Sequence, residues 1–237
     1  MSPLKVCADE AEQAAVCADL FIDSGRQALG ARGAYKVALS GGRGPRGLYR
    51  ALEARRGDLD WGRVELYWVD ERWVEPQSPE SNYGEARRLW LDAWTASAGP
   101  VCHPMFRADL EPEAAADAYS ALLSARVGRP WPVFDLALLG MGPDGHTASL
   151  FPGQPSLDER LRACLAVRQP ASGQQRLTLT LPALNAARRC VFVLAGAEKA
   201  ALLKRVLAGE SDVPAARVRP AAGAPLWVAD AAAAGAA

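Results

Sequence analysis

The chain has 237 residues, half of them hydrophobic, and its 27 basic and 27 acidic residues give a formal net charge of zero. This balance excludes a protein that binds nucleic acid or an anionic membrane mainly through counterion release, so we expect a small-molecule partner instead. The length suits one large α/β domain or two small ones.

The cysteines and the first segment of the chain point to an intracellular protein. The five cysteines are scattered and show no CxxC spacing, so we expect reduced core thiols, no disulfide framework and no zinc site. The segment "MSPLKVCADEAEQAAVCADLFI" carries acids where a signal peptide needs an apolar run, and we find no run near the roughly 20 apolar residues of a membrane span. We therefore expect a soluble, cytoplasmic protein.

The predicted elements of the first half alternate between helix and strand. Apolar residues at helical spacing predict a helix over 9–29, and the run "YKVAL" predicts a strand over 35–39 that ends in "SGGRGPRG". A helix over "LYRALEAR" and a strand over 64–70 follow. After a Pro-rich loop, the pattern predicts a helix over 82–94.

The second half continues the alternation with a helix over 111–127, the strand "FDLALLG", and strands over 176–180 and 190–196. The helix "AEKAALLKRVLAG" ends at Gly209, and "PLWVAD" is a last short strand. Such alternation, with several strands apolar throughout, predicts a mostly parallel sheet covered by helices on both faces. No clear linker divides the chain, so we expect a single domain over 1–237 with a frayed Ala-rich tail.

Ligands of such sheets bind outside the carboxyl ends of the strands. The glycines of "SGGRGPRG" either present backbone amides to a phosphate at a helix N-terminus or form a tight turn. The charges of "VDERWV" are either solvated or, where the alternation of a strand points them inward, offer Arg72 to an anion.

One histidine has a setting that suits proton transfer. His146 follows the strand "FDLALLG" within "FDLALLGMGPDGHTASLFPG", and imidazole can both take and give a proton near neutral pH. Asp144 can orient the ring and favour its protonated form, so we interpret His146 as a catalytic base instead of a structural histidine. His103 lacks such neighbours, and we expect it to have a packing or surface role.

Two glycine patterns match a dinucleotide-binding motif, but the residues around them do not fit such a site. The segments 42–47 and 140–145 both match G-x-G-x-x-G. The acid Asp70 lies too far beyond the first match, and the second leaves little room for the required long helix. We found no side chains at metal-ligand spacing, so we expect neither a nucleotide cofactor nor a metal.

Five segments, in this order and spacing, resemble the 6-phosphogluconolactonase family: "SGG" with a proline three residues on, "DERWV…SNYG", "FDLALLGMGPDGHTASLFPG", "RLTLTLPALNAA" and "VLAGAEKAALL". The resemblance runs from about Tyr35 to beyond Leu203. It implies a modified Rossmann-like single domain, similar to glucosamine-6-phosphate deaminases and ribose-5-phosphate isomerases, that needs no metal. It also implies hydrolysis of 6-phospho-D-glucono-1,5-lactone to 6-phosphogluconate in the oxidative pentose phosphate pathway.

The resemblance also implies roles for individual residues. His146 would activate water and Asp144 would orient it, while the loop from Gly140 to Gly142 would border the sugar. The residues implied to surround the phosphate are Ser40, Gly41, Gly42, Arg72 and Lys199, with Arg176 near it. From the residues alone, Arg176 and Lys199 are equally compatible with solvated cations. Gly44 departs from the family pattern, which has Thr there, so a hydroxyl contact is lost.

Two alternative functions stay open at this point. Related sugar-phosphate deaminases and isomerases continue after Asp-Gly-His with a Phe-Asn-Glu-Pro sequence, whereas this chain has Phe151 in the place of that carboxylate. A non-catalytic sugar-phosphate-binding regulator would carry a DNA-binding helix-turn-helix, but the N-terminal segment here is acidic and has no basic recognition helix.

Overall fold

The structure is a computed structural model that describes residues 4–94, 99–221 and 223–236. Its strands are β1 Leu4–Cys7, β2 Tyr35–Leu39, β3 Val64–Trp68, β4 Asp70–Arg72, β5 Val101–His103, β6 Leu136–Leu139, β7 Cys164–Arg168, β8 Gln175–Leu179, β9 Cys190–Leu194 and β10 Leu226–Asp230. Its α-helices are α1 Glu10–Arg32, α2 Arg43–Glu53, α3 Asn82–Leu89, α4 Pro112–Arg126, α5 Leu181–Asn185, α6 Ala200–Leu207 and α7 Ala231–Ala234.

The central sheet has seven strands in the order β1-β10-β9-β6-β2-β3-β5, and every neighbouring pair is parallel. All residues of β6 and β9 are buried. Because successive side chains of a strand point to opposite faces, burial of every residue shows that both faces of the sheet are covered. The prediction of a mostly parallel α/β sheet is confirmed.

The strand order reverses between β2 and β6. From β2 the chain continues to its neighbour β3 on one side, whereas β6 is followed by β9 and β10 on the other side. The loops that leave the carboxyl ends of β2 and β6 therefore diverge and leave a crevice between them. Open α/β sheets bind ligands at such a reversal.

A second, smaller sheet was not predicted. Its order is β4-β8-β7, and both pairs are antiparallel. The single strand predicted over 64–70 is wrong because the chain changes sheets at Val69. The N–H of Val69 donates to the carbonyl of Leu39 in the central sheet (2.8 Å), while the N–H of Leu179 donates to the carbonyl of Val69 (2.7 Å). The sequence gives no sign of this break, because the residues that lead up to Val69 form a continuous apolar run.

Several element ends differ from the predictions for local reasons. The helix predicted over 82–94 ends at Leu89 and continues as a short 3-10 turn. The prediction of a frayed alanine tail is wrong for Ala231–Ala234, which form α7. The carboxylate of Asp230 accepts a hydrogen bond from the N–H of Ala233 (2.6 Å), which supplies the helix cap, and Ala233 is buried.

The state of the cysteines agrees with the prediction of reduced core thiols. All five are free, four are buried, and Cys102 is partly buried. In the described part of the chain, no helix combines the length and the apolar character needed to cross a membrane.

A buried carboxylate joins the first helix to the middle of the sheet. Asp135, just before β6, accepts hydrogen bonds from the N–H of Lys36 (2.9 Å) and from Nε of Arg32 (2.9 Å), and Arg32 Nη2 also lies 2.7 Å from it. The Asp135 side chain is only 7% exposed. This one carboxylate fixes the end of α1 against the starts of β2 and β6.

We expect Asp135→Ala to lower the free energy of unfolding by about 2 to 4 kcal/mol, because it leaves a backbone donor and a half-buried guanidinium without their partner. Asp109→Ala is the matched control, since Asp109 pairs with Arg107 at the surface and is 63% exposed. It should leave stability nearly unchanged. Urea unfolding of the two variants measures this, and equal losses would contradict the assignment.

Candidate active site

A cleft of about 290 Å³ lies at the carboxyl ends of β2 and β6, where the small sheet borders it. It collects nearly all residues that the sequence predicted for binding and catalysis. These are Ser40, Gly41, Gly42, Arg72, Gly140, Gly142, His146, Arg176 and Lys199. Asp144 is the remaining predicted residue, and it lies beside His146 instead of lining the cleft.

Asp144 fixes the tautomer of His146. The Asp144 Oδ1 atom lies 2.6 Å from Nδ1 of the imidazole and also accepts the N–H of His146 (3.2 Å). A carboxylate at this distance accepts a hydrogen bond, so Nδ1 carries a proton, and in the neutral ring Nε2 keeps its lone pair. Nε2 makes no hydrogen bond to residues 4–94, 99–221 or 223–236. His146 lines the cleft, and in its neutral form Nε2 is available to accept a proton.

The glycines before His146 are needed for the position of the ring. A Cβ on Gly142 would lie 2.2 Å from Cε1 and Nδ1 of His146, so no other residue leaves room for the imidazole. The N–H of Gly142 donates to the carbonyl of His146 (2.9 Å), which closes the turn. Two residues further on, Ala148 has φ +49°, a left-handed conformation that costs an alanine roughly 1 kcal/mol or more. The turn therefore holds a strained residue on the wall of the cleft.

Three cations line the cleft without a counter-ion. Arg72 and Arg176 lie directly opposite each other on the antiparallel strands β4 and β8, so both side chains project from the same face. Together with Lys199, they form no ion pair with any residue that the structure describes. Burial lowers the pKa of both Arg176 and Lys199 because desolvation disfavours their charged forms. Like charges opposed in this way suit an anionic ligand between them.

The start of α2 adds uncharged donors to the same cleft. Gly42 is its N-cap with φ +93° and supplies no side-chain cap, so the amides of the first turn are open to a ligand. The hydroxyl of Ser40 is buried and has no partner among the described residues. A Cβ on Gly41 would lie 1.8 Å from Oδ1 of Asn82, so only glycine leaves room for Asn82 at this point of the loop.

The alternation predicted for "DER" is observed. Asp70 and Arg72 face the cleft, whereas Glu71 points to the other side and is buried. Its carboxylate accepts the N–H groups of Asn82 (2.7 Å) and Tyr83 (2.8 Å) at the start of α3. Burial raises the pKa of Glu71 to about 7, although these backbone donors oppose the shift. Glu71 thus ties the segment that carries Arg72 to α3.

Several residues of the cleft wall were not predicted from the sequence. Asp70 accepts a hydrogen bond from the hydroxyl of Ser149 (2.7 Å), and its alternation with Arg72 was the available signal. Arg43 and Glu198 also line the cleft, and they form an ion pair of 2.8 Å between α2 and the loop after β9. No local pattern indicates that pair.

The unusual Gly44 has a packing reason. A Cβ at this position would lie 2.7 Å from the backbone oxygen of Val193 in β9. The start of α2 therefore approaches the central sheet more closely than a larger residue allows. Gly44 lines the cleft, where it contributes no hydroxyl.

The second histidine lies outside the cleft and packs as predicted. The imidazole of His103 stacks on Tyr67 with ring centroids 4.5 Å apart, and Nε2 lies 3.2 Å from Oε2 of Glu65. Its pKa is lowered by burial and by the nearby Arg126. Within the described ranges, no three His, Cys, Asp or Glu side chains are grouped so as to hold a metal ion.

Comparison with known proteins identifies the family. The family model described as glucosamine-6-phosphate isomerases/6-phosphogluconolactonase matches residues 8–227. The chain belongs to this family. Among its relatives, the 6-phosphogluconolactonase of Synechocystis is 39% identical over 92% of this chain and 90% of its own length.

Solved structures agree with that membership. The 6-phosphogluconolactonase of Trypanosoma cruzi superposes with a TM-score of 0.85 at 25% identity and covers 99% of this chain and 96% of its own. A monomeric glucosamine-6-phosphate deaminase has a TM-score of 0.81 at 18% identity, with 99% and 100% covered, which shows the shared fold alone. The predicted similarity of fold to the deaminases is therefore confirmed.

We expect inorganic phosphate to stabilise the protein through the three unpaired cations. At about ten times its dissociation constant, a ligand adds about 1.4 kcal/mol, which raises the melting temperature by about 3 to 5 °C for a chain of this size. Arg72→Gln and Arg176→Gln should each reduce this increment. Arg107→Gln, at the exposed surface pair, should keep it. Differential scanning fluorimetry measures the shifts, and equal increments in all four proteins would place the anion elsewhere.

A second expectation concerns Glu71 and pH. Its pKa in the folded protein, about 7, lies above its ordinary value of 4.5, so its contribution to stability is full below pH 4.5 and is lost as pH rises to about 7. The free energy of unfolding of the native protein, relative to Glu71→Gln, should therefore fall over this range by up to about 3 kcal/mol.

Asp109→Asn is the control for this titration. The pKa of Asp109 is lowered, mainly by its hydrogen bond to Arg107, so its effect should have the opposite sign and occur only below its ordinary value of 3.8. Urea unfolding across pH 4 to 8 separates the two. A difference between native protein and Glu71→Gln that does not change with pH would contradict the assignment.

Proposed function

We propose that this chain hydrolyses 6-phospho-D-glucono-1,5-lactone to 6-phospho-D-gluconate in the oxidative pentose phosphate pathway, as a carboxylic ester hydrolase. The observation that carries the proposal is that one cleft holds both a free imidazole nitrogen, His146 Nε2, and three cations without counter-ions. A phosphorylated lactone needs both features, since its phosphate is a dianion and its ester bond is attacked by activated water.

The cationic part of the cleft holds the phosphate. Arg72 and Arg176 present guanidinium groups that can fork onto its oxygens, and Lys199 adds a point charge. The amides at the start of α2 and the hydroxyl of Ser40 supply neutral donors. Because the phosphate is remote from the reacting carbon, its binding energy serves to position the lactone.

His146 supplies the chemistry at C1. Its Nε2 takes a proton from a water molecule as the water oxygen bonds to C1 and the C1 carbonyl oxygen becomes an oxyanion, and Asp144 stabilises the resulting imidazolium through Nδ1. The bond between C1 and the ring oxygen then breaks, and the ring oxygen leaves with the proton returned by His146. Because a lactone already hydrolyses slowly in water, a general base worth roughly 10² to 10⁴ in rate is sufficient.

The deaminase alternative is disfavoured by Phe151. This side chain replaces the carboxylate of the deaminase pattern, and its ring centroid lies 5.0 Å from that of His146, where it cannot transfer a proton. The regulator alternative is disfavoured by the Asp144–His146 contact, since a protein that only binds needs no oriented base. The deciding assay follows the loss of freshly made phosphorylated lactone against its spontaneous hydrolysis, with ammonia release from glucosamine 6-phosphate measured in parallel. Ammonia release without accelerated lactone loss would reverse the assignment.

The proposal also covers the domain organisation, the type of ligand, the location and the cofactor requirement of the protein. We infer a single domain over the chain, supported by one continuous cluster of buried apolar residues. The balanced charge supports a small-molecule substrate over nucleic acid. We place the activity in the cytoplasm, where a phosphorylated substrate is retained, and propose that it needs neither metal nor nucleotide cofactor.

Substitutions should separate chemistry from binding. His146→Ala removes a proton transfer that occurs only in the transition state, so kcat should fall by roughly 10² to 10⁴ with little change in KM. Lys199→Ala removes a phosphate contact and should mainly raise KM. His103→Gln, outside the cleft, should keep both constants near the native values. Steady-state kinetics, corrected for spontaneous hydrolysis, measures these effects. Native kcat in His146→Ala would require another base.

Chelation tests the metal-free mechanism. Activity should survive exhaustive dialysis against EDTA, because proton transfer by His146 needs no Lewis acid. The measurement compares lactone hydrolysis before dialysis, after dialysis, and after addition of Mg²⁺, Zn²⁺ or Mn²⁺. A loss of activity that one of these ions restores would overturn the mechanism.

A further inference from the structure

The aromatic ring of Phe151 contacts both functional ends of the cleft. Its centroid lies 5.0 Å from that of the His146 imidazole, with an angle of 48° between the ring planes. The guanidinium carbon of Arg176 lies 5.8 Å from the same centroid. Phe151 is 2% exposed, so its position is set by packing and not by solvent. One rigid side chain therefore touches both the base and an anion-binding arginine.

The ring of Phe151 adds an apolar contact to the hydrogen bonds that these two residues make. Asp144 contacts the imidazole ring of His146 at Nδ1 alone, and the Asp144 side chain is itself 50% exposed. A hydrogen bond at one ring atom does not fix the plane of the imidazole. On the Arg176 side, Nε and Nη2 donate to Oε1 of Gln174, and Nη1 lies 3.5 Å from the hydroxyl of Ser149. A flat aromatic surface restricts both groups without competing for their protons.

Phe151 also lies between the catalytic cleft and a second cavity. It lines a cavity of about 650 Å³ beside β7 that contains none of the predicted site residues, while His146 and Arg176 line the catalytic cleft. Shortening this side chain would therefore open free volume next to both residues. Interiors tolerate such loss poorly, because neighbouring side chains move into the space only in part.

We propose that Phe151 is a positioning residue for this reaction: its ring fixes the plane of the His146 imidazole and the place of the Arg176 guanidinium, and so sets the base relative to the bound phosphate. The proposal rests on the proposed lactone hydrolysis. The favourable contact between a cation and an aromatic face holds Arg176, and an edge-tilted contact between rings holds His146. A misplacement of about 1 Å in such a site can cost as much as 10² in rate.

The kinetic test uses Phe151→Leu, Phe151→Tyr and the control Phe134→Leu. The leucine variant keeps an apolar side chain but loses the aromatic face, so kcat should fall about 10-fold or more and KM should rise a few-fold. The tyrosine variant keeps the ring and should restore kcat to within about 3-fold of the native value. Phe134 is fully buried and does not line the cleft, so Phe134→Leu should lower the melting temperature with kcat unchanged.

A second readout uses the fact that the chain has only two histidines. Their imidazole Cε1–H signals can be resolved by NMR and assigned with His103→Gln. Phe151→Leu removes a ring current beside His146, so the His146 signal should shift and the His103 signal should not. Phe134→Leu should do the reverse, since Phe134 packs on Tyr67, which stacks on His103.

The outcomes distinguish the two proposals. If the native protein hydrolyses no phosphorylated lactone, the proposed function fails, while a shift of the His146 signal would still establish the contact that this inference needs. If the native protein is active but Phe151→Leu keeps native kcat and KM and only melts earlier, Phe151 is structural and the inference is overturned. Should Phe151→Leu not fold, Phe151→Met replaces it with the same expectations, because methionine also lacks the ring.

Discussion

Two arginines held side by side without a carboxylate between them are the constraint on which the rest of the site depends. Arg72 and Arg176 oppose each other across β4 and β8, an arrangement that repulsion disfavours in the empty protein. The fold maintains it by backbone pairing in the small sheet and by the buried carboxylate of Glu71, which ties the neighbouring segment to α3. A dianion bound between the two guanidinium groups would offset this repulsion.

On the other side of the same crevice, different contacts hold His146 in position. There, the loop after β6 places Gly142 where any Cβ would meet the His146 ring, and Asp144 fixes which nitrogen carries the proton. Both parts meet because the strand order reverses between β2 and β6, which lets the loops after these strands diverge. The small sheet then brings Arg72 and Arg176 over this crevice. The chemistry therefore depends on two sheets, of which only one follows from the alternation of helices and strands.

The sequence predicted the features that are written in short segments. "SGG" after a strand indicated the open amides at the start of α2, and "DGH" indicated the contact between Asp144 and His146, because each motif lies within one loop. The change of sheets at Val69 could not be predicted, since it depends on hydrogen bonds to Leu39 and Leu179, which are distant in the chain. The ion pair of Arg43 with Glu198 was missed for the same reason. Local sequence patterns indicate the functional groups, whereas long-range hydrogen bonds and ion pairs determine which of these groups lie close together in the fold.

A crystal structure of the protein with 6-phosphogluconate, the product of the proposed reaction, would show whether the cations bind the phosphate and His146 faces C1. The phosphate should lie between the guanidinium groups of Arg72 and Arg176, near Lys199 and the N–H groups at the start of α2. The carboxylate formed at C1 should lie within hydrogen-bond distance of His146 Nε2. A phosphate bound at His146, or a product bound outside this cleft, would contradict the account.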